Sequence, residues 1–237
     1  MQRARYQTIV QLGLPVVGGM VSQNVLNLVD TSMVGSLGDA ALAAVGTGSF
    51  LNFMAMAFVM GLSAGVQAIV SRRVGEGRSD TTAPLNGALL LSACFSVPIF
   101  LLVFFAAPSL FSLLNPDANV VELGVPYLRI RLCVVAFVGM NFSFRGYWNA
   151  VKNPKIYMRT LIVMHILNIG LNWVFIYGHL GMPALGCNGA ALATAIATVC
   201  GTGLYAFQAR RLAPGFLAKL PSSAQLRSIL RLSTPNG

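Results

Sequence analysis

The chain has 237 residues, of which 56% are hydrophobic and 9% charged, and its mean hydropathy is +0.72. A soluble domain carries about 25% charged residues, so this composition excludes an ordinary soluble enzyme and describes a polytopic membrane protein. The formal net charge is +10, but the basic residues cluster between apolar runs, which is a signature of membrane topology rather than of nucleic-acid binding.

Six apolar runs predict an all-α, polytopic transmembrane six-helix bundle, with spans at 9–34, 41–70, 84–108, 124–150, 157–177 and 189–207. About 20 apolar residues cross a bilayer; the second and fourth runs are longer and are expected to tilt or project beyond it. The first run is too long for the core of a cleavable signal. It holds Asp30, whose burial in hydrocarbon would cost roughly 2.5–3.5 kcal/mol on insertion scales. Gln23, Asn27 and Asp30 are spaced by four and three, so they share a helix face. Pro15, Gly18 and Gly19 are expected to break this helix, Gly61 and Gly65 the second, and Pro98 the third. Pro15 would let the helix bearing Asp30 bend.

The fourth run contains Arg129, Arg131 and Arg145. They either snorkel from its ends or belong to a transport pathway. The fifth carries His165, Asn168 and Asn172 at helical spacing. The sixth carries a row of Ala190, Thr194, Thr198 and Thr202 beside the small residues Ala193, Ala197 and Gly201, which permit close helix packing. The stretch 210–229 is basic and holds enough apolar residues for a short amphipathic surface helix. Residues 230–237 repeat an element of the first span: Leu, a small residue, one residue, Pro and a nearby Gly. This predicts three regions: a six-helix lobe at 1–209, a cytoplasmic linker at 210–229, and the truncated start of a second lobe at 230–237.

Basic residues set the orientation. Arg3 and Arg5, then Arg72, Arg73 and Arg78, then Lys152, Lys155 and Arg159, then Arg210, Arg211, Lys219, Arg227 and Arg231 occupy alternate loops. The intervening loops hold Asp39, Asp117 and Glu122 and no Lys or Arg. The positive-inside rule then puts both ends in the cytoplasm, as expected of a multi-pass protein of a bacterial inner (plasma) membrane.

With this orientation the first and fifth spans run outward and the sixth inward. At about 1.5 Å per residue, Asp30, Asn172 and Thr194 fall at one depth, with Asn168 about one turn deeper. No basic residue is expected at that depth. A carboxylate, two amides and a hydroxyl suit a hard cation such as Na⁺; a lone carboxyl could equally carry a proton. Each Asn or Thr could also serve only to bridge helices, and His165 reads as a packing or hydrogen-bonding residue ahead of a ligand. The four cysteines suggest neither a disulfide framework nor a metal site. No paired acids or nucleophile–base set suggests an enzyme.

The order and spacing of several segments resemble the multidrug and toxic compound extrusion (MATE) family. They are Leu28-Val29-Asp30-Thr31-Ser32-Met33-Val34-Gly35 after Pro15, Gly61-Leu62-Ser63-Ala64-Gly65-Val66-Gln67-Ala68 with Arg72-Arg73-Val74-Gly75-Glu76-Gly77, Leu167-Asn168-Ile169-Gly170-Leu171-Asn172-Trp173, and Gly189-Ala190-Ala191-Leu192-Ala193-Thr194. The resemblance implies one lobe of a twelve-helix antiporter. Such a protein exports cationic or amphipathic compounds in exchange for Na⁺ or H⁺, needs no other cofactor, and has a second, C-terminal lobe. It implies a cation site at Asp30, Asn168, Asn172 and Thr194, supported by Gln23, Asn27 and His165, and a bending helix at Pro15. Some relatives carry an acid at the position of Asn172, where this chain has an amide. The alternatives are a flippase-like exporter of a lipid-linked precursor, which would line its cavity with cations, and a non-transporting membrane subunit.

Overall fold

The computed structural model describes residues 2–218 and 223–233, without the side chains of 2–9, 12, 58, 224 and 225. The expected start of a second lobe at 234–237, the linker residue Lys219, and the side chains of Arg3 and Arg5 therefore lie outside the described residues. The rest forms helices α1 (Gln2–Gly35), α2 (Asp39–Gly75), α3 (Ala83–Leu114), α4 (Ala118–Leu132), α5 (Val135–Ala150), α6 (Pro154–Tyr177), α7 (Cys187–Leu212) and α8 (Ser223–Ser233). No strand occurs among the described residues. Helices satisfy every internal backbone group within one segment, as an apolar solvent demands.

Four helices are long and apolar enough to cross a membrane, and α4 with α5 makes a fifth as a broken span. At 34 residues α1 also has the length to cross; its polar face sets it apart from the apolar four. Most helices outrun the predicted spans, continuing into their polar ends. Asp117 accepts from the backbone N–H of Asn119 at 2.9 Å and starts α4. Gly178, at φ 77°, ends α6 in the left-handed region that favours glycine.

The expected breaks fall elsewhere. α1, α2 and α3 continue through Pro15, Gly61, Gly65 and Pro98. The fourth run instead divides at 133–134, with a bend of 53°. There Val134 N–H reaches back only to Arg131 O, at 3.4 Å. The glycines of α2 serve packing. A Cβ at Gly65 would lie 2.8 Å from Ile229 O and against Ser233 Oγ, so the missing side chain is what lets α8 seat on α2. α8 runs across the expected 229/230 border without interruption. Its Ile229 is fully buried, with Leu226 and Leu230 packed on the same core, while Arg227 and Arg231 stay exposed.

α2 packs against α3, α4, α5 and α8, and α6 lies between α1 and α7. The larger core runs along α2, α3 and α5. A smaller apolar cluster joins Val34 of α1, Ala41 of α2, Tyr127 of α4, Ile176 of α6, and Cys187, Ala190 and Ala191 of α7. In the loop after α2, Arg73 and Arg78 pair with Asp80 at 3.0 and 2.8 Å, and Arg72 with Glu76 at 2.7 Å.

Candidate cation site

Small residues bring α1, α6 and α7 close enough for short polar side chains to meet. Gly19 of α1 faces the Tyr157 ring on α6, and Gly201 of α7 faces Met164. Ala193 and Ala197 of the expected small-residue row are buried. The glycines make room for a large side chain of the neighbouring helix, and the buried alanines keep the remaining contacts small.

Four of the residues selected by depth form one hydrogen-bonded chain across the three helices. Asn172 Nδ2 donates to Asp30 Oδ1 at 2.7 Å and to Asn168 Oδ1 at 3.2 Å. Asn168 Nδ2 donates to Thr194 Oγ1 at 3.0 Å, and that hydroxyl donates to Ala190 O at 2.9 Å. Turned over, the Asn168 amide donates to Asp30 Oδ1 at 3.0 Å and accepts from Thr194 Oγ1 at 3.0 Å. The two edges of an amide differ in which atom donates, so in both rotations Asn168 reaches Thr194; in the second it binds Asp30 directly. Asn168 thus joins the other three despite starting one turn deeper.

Asn168 and Asn172 are 1% and 0% exposed, whereas Asp30 and Thr194 are half-buried. Asn172 Oδ1 is buried with no hydrogen-bond partner among the described residues. An unsatisfied buried acceptor costs about 1–3 kcal/mol and is unusual enough to demand a reason. Beside a carboxylate, an amide and a hydroxyl, it supplies the oxygen chemistry of a hard-cation ligand set.

A second network lies one turn away on α1. Gln23 Nε2 donates to Asn27 Oδ1 at 3.2 Å, and Gln23 Oε1 lies 3.3 Å from His165 Nε2. An amide oxygen only accepts, so Nε2 carries the proton and Nδ1 accepts from Ser22 Oγ at 2.7 Å. Sequence spacing missed Ser22 because it stands one residue off the Gln23–Asn27–Asp30 row. It missed Asn141 too. The threonine row divides: Thr194 joins the candidate site, while Thr202 donates to Asn141 Oδ1 of α5 at 2.8 Å.

The three arginines of the broken span part company. Arg129 donates to Phe104 O at 3.3 Å and sits 4.6 Å over that ring. Arg145 lies over the Phe142 and Tyr157 rings at 5.8 and 5.3 Å. Arg131 lies within electrostatic reach of Asp30. This nearness corrects the expectation that no basic residue shares the depth of Asp30.

A cavity of about 210 Å³ lies apart from these residues, lined by Leu37, Ala41, Leu123, Leu185, Gly186, Cys187 and Asn188. Drug-sized ligands need about 300–1,000 Å³, so this cavity suits at most a small solute.

The MatE family model matches residues 15–174. A probable multidrug resistance protein NorM of Geobacillus kaustophilus is 30% identical over 240 residues, covering 98% of this chain and 53% of its own length. Multidrug resistance protein MdtK of Klebsiella pneumoniae is 31% identical over 188 residues, covering 79% of this chain and 41% of its own. Among solved structures, an outward-facing multidrug resistance MATE family transporter of the MOP superfamily superposes with a TM-score of 0.85 at 30% identity, covering 97% of this chain and 51% of that one. A MATE in the bent conformation superposes with a TM-score of 0.85 at 30% identity, covering 98% of this chain and 52% of that one. The chain spans about half the length of the relatives it matches.

Proposed function

The chain belongs to the MatE family, and from that premise we propose that it forms one lobe of a secondary antiporter that exports cationic or amphipathic compounds in exchange for Na⁺ or H⁺. The observation that carries this reading is the Asp30 carboxylate on α1, bonded at 2.7 Å to the fully buried Asn172 of α6. Asp30 holds the coupling ion, and Asn168, Asn172 and Thr194 complete its oxygen shell. Gln23, Asn27 and His165 brace the next turn of α1 against α6.

Coupling follows from what neutralising Asp30 does to α1. The bond from Asn172 is charge-assisted, and such bonds are roughly twice as strong as neutral ones. A cation or proton that neutralises the carboxylate weakens this tie to α6. Pro15, inside the continuous α1, removes one backbone hydrogen bond and gives the helix a point at which to bend when the tie is released. Cargo binds between this lobe and a second one, in keeping with a chain that spans about half the length of its relatives; the 210 Å³ cavity described above is too small for it. The alternating basic loops support a bacterial inner-membrane protein with both ends of this chain in the cytoplasm.

Export of a cationic dye by the full-length protein carrying Asp30→Asn tests the reading. The expected result is loss of ion-driven export with normal membrane insertion. Undiminished ion-coupled export would remove Asp30 from the mechanism.

A further inference from the structure

Arg131 occupies a defined place in the site, found by stepping inward from the small apolar cluster. That cluster packs Val34, Tyr127, Ile176 and Ala190 from α1, α4, α6 and α7 against one another. One helical turn further into the bundle means four residues back on α1 and α6, which run toward the cluster, and four forward on α4 and α7, which run away from it. Those steps lead to Asp30, Asn172, Thr194 and, on α4, Arg131. Three of the four are the hydrogen-bonded candidate ligands. Arg131 shares their level and face.

The guanidinium has no competing engagement of the kind its neighbours show. Arg129 and Arg145 are held by a carbonyl or by aromatic rings. The Nε of Arg131 is buried and has no hydrogen-bond partner among the described residues. Asp30, for its part, closes no ion pair within 4.0 Å among the described residues. Two opposite charges thus stand at one level, near enough to influence each other, without a salt bridge among the described residues. Arg131 also sits in the last turn of α4, and its carbonyl accepts the long 3.4 Å bond from Val134 at the break. Its backbone is part of the bend. Favourable placement at a helix C-terminus explains the charge type but not the buried, unpartnered nitrogen.

We propose that Arg131 is a tethered counter-cation for the Asp30 site, balancing the carboxylate when no ion is bound and competing with Na⁺ for it. This rests on the reading of Asp30 as an ion ligand. A fixed positive charge beside the site lowers its affinity for a mobile one, so loading Na⁺ requires the guanidinium to yield. Arg131 is a positioning residue, acting through Asp30 rather than on the cargo.

Binding of ²²Na⁺ to the purified full-length protein tests this with wild type, Arg131→Gln, Arg131→Met, Arg131→Lys and Asp30→Asn side by side. Removing the charge should tighten ²²Na⁺ binding about tenfold in both neutral variants. Arg131→Lys should stay near wild type, and Asp30→Asn should lose binding. A gain in affinity is not what a damaged fold produces, and two neutral variants guard against one failing to fold. If the neutral variants bind no tighter while Asp30→Asn loses binding, the counter-cation proposal falls and the Asp30 reading stands. If Asp30→Asn binds like wild type, or wild type binds no ²²Na⁺, a sodium site at Asp30 falls and the proposal with it.

Discussion

Replacing Asn172 by Leu separates the contribution of this residue to stability from its contribution to ion binding. The side chain is fully buried, donates to Asp30 at 2.7 Å and to Asn168 at 3.2 Å, and leaves Oδ1 unpartnered. Loss of the bond to a charged acceptor costs about 1.5–3 kcal/mol, and loss of the neutral one about 0.5–1.5. Against this, an unsatisfied buried acceptor disappears, worth about 1–3 kcal/mol, and an apolar side chain of similar volume remains. The ion-free protein should therefore lose no more than about 1–3 kcal/mol. Ion binding has no such compensation: loss of one ligand or its support weakens metal sites by about 10–100-fold.

The assay is thermal unfolding of the purified full-length protein in rising NaCl. A bound ion stabilises by about 2.7 kcal/mol at one hundred times its Kd. If Kd rises a hundredfold, the same NaCl gives only about 0.4 kcal/mol, so the sodium-dependent shift nearly vanishes. Retention of the wild-type shift would refute the assignment of Asn172 as part of the ion site. A collapse of the ion-free protein by much more than about 3 kcal/mol would refute the compensation argued from the unpartnered oxygen.

Thr194→Val keeps the volume but removes the hydroxyl that links Asn168 to Ala190 O; it should weaken ²²Na⁺ binding about tenfold while costing only about 0.5–1.5 kcal/mol. Gly65→Ala sets a methyl against Ser233 Oγ and 2.8 Å from Ile229 O, so it should destabilise by about 1–3 kcal/mol and speed proteolysis between α7 and α8. In the loop after α2, the hydrogen bond from Arg78, aided by Arg73, holds the Asp80 carboxyl below its usual range. Its contribution is in place above the ordinary carboxyl value near pH 4 and is lost as pH falls through the lowered one. Solvent screens pairs this exposed and keeps their contribution small, so Asp80→Asn should unfold slightly more easily than wild type at neutral pH and equally below the transition.

The candidate ligands were legible in the sequence because one helix suffices to place each of them. Gln23, Asn27 and Asp30 share a face by spacing alone, as do His165, Asn168 and Asn172. The bonds from Asn172 to Asp30 and from Asn168 to Thr194 follow once those faces turn toward each other. Ser22 and Asn141 were not legible, since each lies off the polar row and is selected by a partner on another helix. Glycine and proline within the runs suggest breaks, yet α1, α2 and α3 pass through them intact.

By itself the sequence determined the membrane class, the all-helical content, the apolar runs and the polar face on each. These follow from composition and from a 3.6-residue period, which act within a single segment. Only the tertiary structure decided that the fourth run bends by 53° at 133–134, that α8 docks on the glycines of α2, and that Arg131 stands level with Asp30. Periodicity says which residues share a side of one helix. Which sides meet, and at what height, depends on crossing geometry and on which small residues let two backbones approach.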